Sequence, residues 1–151
     1  QQKKISETIS SRCIKKRIFL NNTERKEMIN KLISHYSINP VIDPNTNLLT
    51  PGAFLIFNDI AIENNISKDL GYLDKIFVLL NLYKKKKDIN YINLSIFYTD
   101  YYFYKVSNNY NNLLDLNSAK ICILKHINNY VSLNLNITSV LNNINSHFYG
   151  K

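Results

Sequence analysis

Basic side chains supply the clearest candidate chemistry in this chain of 151 residues. They are concentrated in the segment "SSRCIKKRIFL" (residues 10–20) and in the residues that follow it. Mobile cations and helix N-terminal amide groups neutralise phosphate oxygens without strict side-chain pairing. The pattern predicts contacts with a phosphate backbone, and a solvated charged face explains it about equally well. The side chains concerned are Arg12, Lys15, Lys16, Arg17, Arg25, Lys26 and Lys31.

The charge is unevenly distributed along the chain. The net charge is +8, and residues 1–35 hold nine Lys or Arg against three Glu. Residues 36–83 are acidic, with two Lys against five Asp or Glu, and residues 84–105 are basic again. Two basic blocks around an acidic middle favour polyanionic partners. The second block contains a run of lysines. Its first three members are also predicted to bind RNA: Lys84, Lys85 and Lys86.

Catalytic and metal-binding patterns are absent from the sequence. It has no Gly-rich phosphate loop, no Asp-rich or His-Cys metal spacing, and no nucleophile elbow. His35, His126 and His147 are isolated, which favours structural or surface roles, and Cys13 and Cys122 are predicted to be free thiols. We therefore expect no enzymatic activity, no cofactor, no metal and no small-molecule substrate.

Helices are predicted in four places that would position these residues. Residues 10–20 form a short basic helix, and a second helix begins near Thr23, with Met28, Ile29, Leu32 and Ile33 on its apolar stripe. A third helix runs from Ser67 to Tyr83 with an inward face, and a closing helix follows at the C-terminus. The inward residues of these last two helices are Leu73, Ile76, Phe77, Leu80, Val140, Ile144 and Phe148.

Strands are predicted where apolar residues alternate or run without a break. Ala53–Ile62 indicates a buried strand pair or one bent strand, Tyr91–Val106 alternates with a period of two, and so does the stretch from Val131 to Ile137. The segment from Ser118 to Asn129 fits helix or strand. The expected fold class is α+β, with a two-helix N-terminal module followed by a small mixed sheet and packing helices.

The aromatic residues of the predicted strand Tyr91–Val106 offer another possible contact. Tyr91, Phe97, Tyr101 and Phe103 would share one face, where exposed rings stack on unpaired bases. Such a face is more often core or a protein interface.

The organisation predicted is a single domain over residues 1–151. It comprises a basic helical part (about 1–35), a β-containing part (about 38–106) and a mixed C-terminal part (107–151). No apolar stretch of bilayer-spanning length occurs, so no membrane partner is expected.

Residues 12–38 resemble the two-helix RNA-binding module of the small-subunit ribosomal protein four family. "LISHYSI" resembles the corner where that module enters its β-hairpin, and "TPGAFLIF" (residues 50–57) resembles its later strand. Tyr36 stands where the family has a turn glycine. The positions that match the family pattern are Arg12, Leu20, Lys26, Leu32, Ile33 and Ile38.

This resemblance implies a structural rRNA-binding protein of a small ribosomal subunit. Its partners would be rRNA and neighbouring ribosomal proteins. The abundance of Asn, Ile, Lys and Tyr is typical of AT-biased coding, which is common in organellar genomes, in some large DNA viruses and in some parasites. Together with this coding bias, the resemblance implies an organelle-encoded protein of the mitochondrial matrix. The residues that the resemblance assigns to rRNA phosphates are Arg12, Lys15, Lys16, Arg25, Lys26 and His35.

Two other functions fit the sequence. One is a viral host-interaction protein that grips partner helices in an apolar groove, which requires an all-helical bundle with Tyr91–Val106 as a helix. The other is an accessory subunit of another organellar complex, where the basic helices would face protein or lipid.

Overall fold

The computed structural model describes residues 20–107 and 113–149, and every helix or strand assigned there is an α-helix. The predicted α+β fold is therefore wrong: these ranges contain no strand and no sheet. None of their helices is long and apolar enough to cross a bilayer. The helices are α1 (Asn22–Tyr36), α2 (Pro51–Glu63), α3 (Tyr72–Lys86), α4 (Ile89–Ser107), α5 (Leu113–Leu133) and α6 (Ile137–Tyr149).

Four of these helices form a closed ring. Helix α3 packs on α4, α4 on α5, α5 on α6, and α6 returns to α3. The Tyr130 hydroxyl of α5 crosses the ring and donates a hydrogen bond to the Leu80 carbonyl oxygen of α3 at 3.2 Å. Helix α2 packs against α4, and α1 packs against α2. The fully buried side chains of the ring include Ile76, Leu79, Leu80, Leu94, Ile123, Ile127 and Ile144.

Helix α4 shows why its segment was mistaken for a strand. It packs against α2, α3 and α5, so side chains around most of its circumference are buried. A helix that is apolar on all sides loses the single stripe that identifies an amphipathic helix, and β-branched and aromatic residues then mimic a strand. The predicted strand Tyr91–Val106 is wrong, and the segment is helical throughout.

Helix α2 corrects the second strand prediction, Ala53–Ile62. Pro51 begins the helix, where its missing N–H is not needed, and the Thr50 hydroxyl accepts a hydrogen bond from the Ala53 amide at 3.3 Å. Residues 50–52, which the resemblance assigned to the start of a strand, are therefore a helix start. The alternating stretch from Val131 to Ile137 is likewise the end of α5, a short link and the start of α6.

The predicted amphipathic helices are confirmed within the described ranges. Helix α1 begins two residues earlier than expected, because Asn21 rather than Thr23 caps it. The Asn21 side chain accepts from the Glu24 amide at 2.9 Å, and the Glu24 carboxylate accepts from the Asn21 amide at 2.9 Å. Helix α3 begins after Gly71, four residues later than the predicted cap at Ser67. The predicted helix over residues 10–20 lies outside the described residues, except for Leu20.

Candidate functional site

The basic N-terminal residues fall into two groups. Arg12, Lys15, Lys16 and Arg17 lie outside the described residues. Arg25 lies in α1, where it is only 7% exposed. Its guanidinium group donates hydrogen bonds to the carbonyl oxygens of Thr46 and Leu49 and to the side-chain oxygen of Asn47. Arg25 thus links α1 to the loop before α2. Its guanidinium group points inward, so it does not face a phosphate backbone.

The other candidates of α1 do not form one row. Lys26, Lys31 and His35 are exposed, but five residues separate the two lysines, which places them about 140° apart around the helix. Lys31 and His35 lie one turn apart on the same side. The His35 ring contacts the Tyr36 ring edge-on, with centroids 4.7 Å apart.

The lysine cluster, Lys84–Lys87, ends α3 and is exposed. The Lys86 ammonium lies 5.7 Å from the centroid of the Tyr91 ring, and that of Lys87 lies 5.4 Å from the Tyr83 centroid. Hydrogen bonding with Tyr91 raises the pKa of Lys86 above its ordinary value, so this ammonium stays charged. Cations are also favoured here because the helix C-terminus carries partial negative charge.

The predicted aromatic face does not form a stacking surface. Tyr91, Phe97 and Phe103 are each 5% exposed and belong to the core, because the segment is a helix. Tyr101 is half-buried and stacks on Phe97, with ring centroids 5.8 Å apart. The core interpretation is confirmed for the three buried rings, and base stacking on them is not possible.

No group of three or more His, Cys, Asp or Glu side chains in the described ranges is arranged to hold a metal ion. Cys122 lies on α5 and forms no disulfide within the described residues; its sulfur lies 3.6 Å from Nε2 of His126, one turn along the helix. Cys13 and the His147 side chain lie outside the described part.

A groove between α3 and α6, hereafter the α3–α6 groove, was missed from the sequence. It has a volume of about 250 Å³. Phe77, which was predicted to lie on the inward face of its helix, is 48% exposed there. The lining residues are Leu73, Asp74, Phe77, Leu141, Asn142 and Asn145.

Both walls of the groove are fixed by buried neighbours. On α3, the Tyr72 hydroxyl lies 2.8 Å from the Thr99 hydroxyl of α4, and the Tyr72 and Tyr102 rings stack at 4.8 Å. Burial raises the pKa of Tyr72 well above its ordinary value, so its hydroxyl remains protonated. On α6, Val140 and Ile144 are buried. These contacts hold α3 and α6 in position on the two sides of the groove.

Asp74 gives the groove its charge. It lies in the first turn of α3, and one carboxylate oxygen would be 2.9 Å from a Cβ placed on Gly71. The side chain therefore folds back towards the helix N-terminus, whose amide groups favour an anion. Asp74 makes no ion pair with a described residue; the ion pair of these ranges joins Lys120 and Asp100 at 2.7 Å.

The size of the groove indicates what it can hold. Sites for small organic ligands usually enclose about 300–1,000 Å³, more than the roughly 250 Å³ found here. One or two side chains of a partner fit this volume. Half of its lining residues are apolar and half are polar, which suits an amphipathic occupant.

Comparisons with known protein families, with curated protein sequences and with solved structures give no match to this chain. The resemblance over residues 12–38 implied a hairpin after α1. In the described residues, Ile38 begins an irregular loop and residues 51–57 are helical, so that hairpin is not formed. A functional assignment must therefore rest on the geometry of this chain.

Proposed function

We propose that this protein is a non-enzymatic protein-binding module that accepts an amphipathic helix of a partner protein in the α3–α6 groove. The observation that carries the proposal is Phe77, a large aromatic residue that is 48% exposed within a concave surface between two helices. Aromatic residues that become desolvated near the centre of a protein interface often contribute much of its binding energy. The all-helical architecture also meets the requirement of the helix-gripping alternative, because Ile89–Ser107 is a helix.

The energetics of Phe77 support this function. Full burial of a Phe side chain stabilises by about 1.5–3 kcal/mol, so covering the exposed half contributes about 1 kcal/mol. Leu73 and Leu141 flank the ring and are themselves only half-buried. A partner side chain inserted among these three residues would reduce the solvent-exposed area of all three.

The test begins with a displayed library of helix-forming peptides selected on the intact protein. We expect the enriched peptides to bind about fivefold more weakly to the Phe77→Ala variant, a loss of about 1 kcal/mol. The matched control is Ile121→Ala, since Ile121 is 66% exposed on α5, outside the groove. Equal binding to wild type and Phe77→Ala, measured by fluorescence anisotropy, would contradict the proposal.

A second candidate function is the structural rRNA binding expected from the sequence, with its mitochondrial location. The specific observation in its favour is the lysine cluster, whose members are exposed and of which Lys86 and Lys87 lie beside the Tyr91 and Tyr83 rings. The Glu63 and Asp88 carboxylates lie near Lys86 and offset part of its charge.

Binding to structured RNA across a salt series tests this second candidate. The variant carries Lys84→Gln, Lys85→Gln and Lys86→Gln, and the slope of log K against log salt should fall by about 0.7–0.9 for each phosphate contact removed. A triple Gln variant at the exposed lysines Lys68, Lys105 and Lys125 has the same charge change. Equal losses in both variants would mean that net charge, rather than the cluster, attracts the RNA.

A further inference from the structure

We infer that the α3–α6 groove selects partner helices that carry a Lys or Arg one turn away from a large apolar residue, and that Asp74 recognises this cation. The inference rests on the proposed function and adds the chemistry of the partner. It is drawn from the position and the charge of Asp74 relative to Phe77.

The first step is geometric. Asp74 and Phe77 are three residues apart on α3, so they are neighbours on one face, separated by about 4.5 Å along the helix axis. A partner helix that runs along α3 presents residues with the same spacing. An apolar side chain that meets Phe77 therefore places a residue three or four positions away next to Asp74.

The second step is electrostatic. The other polar residues of the groove, Asn142 and Asn145, are neutral. Lys75 follows Asp74 in sequence, but its ammonium donates to the Lys68 carbonyl oxygen at 3.0 Å and lies 5.2 Å from the Tyr98 ring centroid. Lys75 is thus engaged elsewhere and forms no ion pair with Asp74. Asp74 is the charged residue among the described residues that line the groove, so an acidic residue of a partner would be repelled and a cation would be attracted.

The third step concerns specificity. Apolar contacts with Phe77, Leu73 and Leu141 accept many hydrophobic side chains, so they discriminate poorly between partners. A single charge beside them rejects helices of the wrong sign and fixes the direction in which the partner helix lies. This arrangement predicts a groove that combines a broad apolar preference with a preference for cationic partners.

The experiment uses a helical peptide enriched on the wild-type protein and its charge-reversed version, in which the Lys or Arg one turn from the apolar residue is replaced by Glu. We expect the reversed peptide to bind wild type at least about tenfold more weakly. Asp74→Lys should invert this order, and Asp74→Asn should remove most of the difference. The control is Asp59→Asn, since Asp59 is an exposed acid on α2 outside the groove.

Two outcomes separate this inference from the proposed function. If enriched peptides lack a cation at this spacing, or if Asp74→Lys fails to invert the preference while Phe77→Ala still weakens binding, the charge selection is overturned and the groove function stands. If Phe77→Ala has no effect on any enriched peptide, the proposed function itself is overturned. Circular dichroism of each variant verifies that the helical content is unchanged.

Discussion

Replacing Arg25 by alanine is expected to lower the free energy of unfolding by about 3 kcal/mol. Its guanidinium group is buried and donates to two carbonyl oxygens and one amide oxygen of residues 46–49, with a distance of 3.0 Å to the Leu49 oxygen. Removal leaves the buried carbonyl groups without their donor and opens space between α1 and the loop. Urea denaturation followed by circular dichroism measures the change.

Lys26→Ala is the matched control, because Lys26 is the next residue on the same helix and is exposed. We expect it to change the free energy of unfolding by less than about 0.5 kcal/mol. Arg25→Lys should recover only part of the loss, since an ammonium group lacks the planar fork that reaches several acceptors. A stability of Arg25→Ala equal to that of wild type would show that these hydrogen bonds contribute nothing.

Arg25 also illustrates the limit of charge patterns. In sequence it is one of nine Lys or Arg residues within residues 1–35, with nothing to distinguish it from Lys26. Its role depends on carbonyl groups more than twenty positions away, in a loop whose course the sequence does not reveal. Loss of RNA binding in an Arg25 variant would therefore have to be separated from loss of stability before it counted as a phosphate contact.

The helices that the sequence predicted correctly have one buried side. Helix α6 buries Val140 and Ile144, one turn apart, and leaves polar residues between them exposed. Helices α2 and α4 were predicted as strands because their apolar residues surround the helix axis. In such segments the apolar residues do not show the helical spacing of 3.6 residues. Only the Thr50–Pro51 cap of α2 gave a local signal of helix.

The groove could not be predicted because it depends on the relative positions of two distant helices. Phe77 satisfies the helical spacing of an inward residue, and nothing in the sequence of α3 shows that α6 leaves it half-covered. Asn142 and Asn145 likewise can be identified as groove residues only from their position opposite α3. Local patterns identify which face of a helix is apolar, but not how much of it a partner helix covers.

Replacing Asn58 by alanine is the second change expected to have a large effect, with a loss of about 3 kcal/mol in the free energy of unfolding. Asn58 is fully buried in α2. Its side-chain oxygen accepts hydrogen bonds from the amides of Val41 and Ile42 at 2.9 and 3.1 Å, and its nitrogen donates to the Phe54 carbonyl oxygen at 2.9 Å. Alanine would leave two loop amides without an acceptor, and each carries a desolvation cost of about 1–3 kcal/mol.

Asn64→Ala separates this long-range role from an ordinary hydrogen bond within the helix. The Asn64 side chain also donates to a carbonyl oxygen four residues back, that of Ile60 at 2.7 Å, but it is only half-buried, and we expect a loss below about 1 kcal/mol. Hydrogen exchange adds a local measurement, because the Val41 and Ile42 amides should lose protection in Asn58→Ala and keep it in Asn64→Ala. Equal losses of stability in the two variants, with both amides still protected, would mean that Asn58 does not hold the loop and that other contacts fix residues 41–42 against α2.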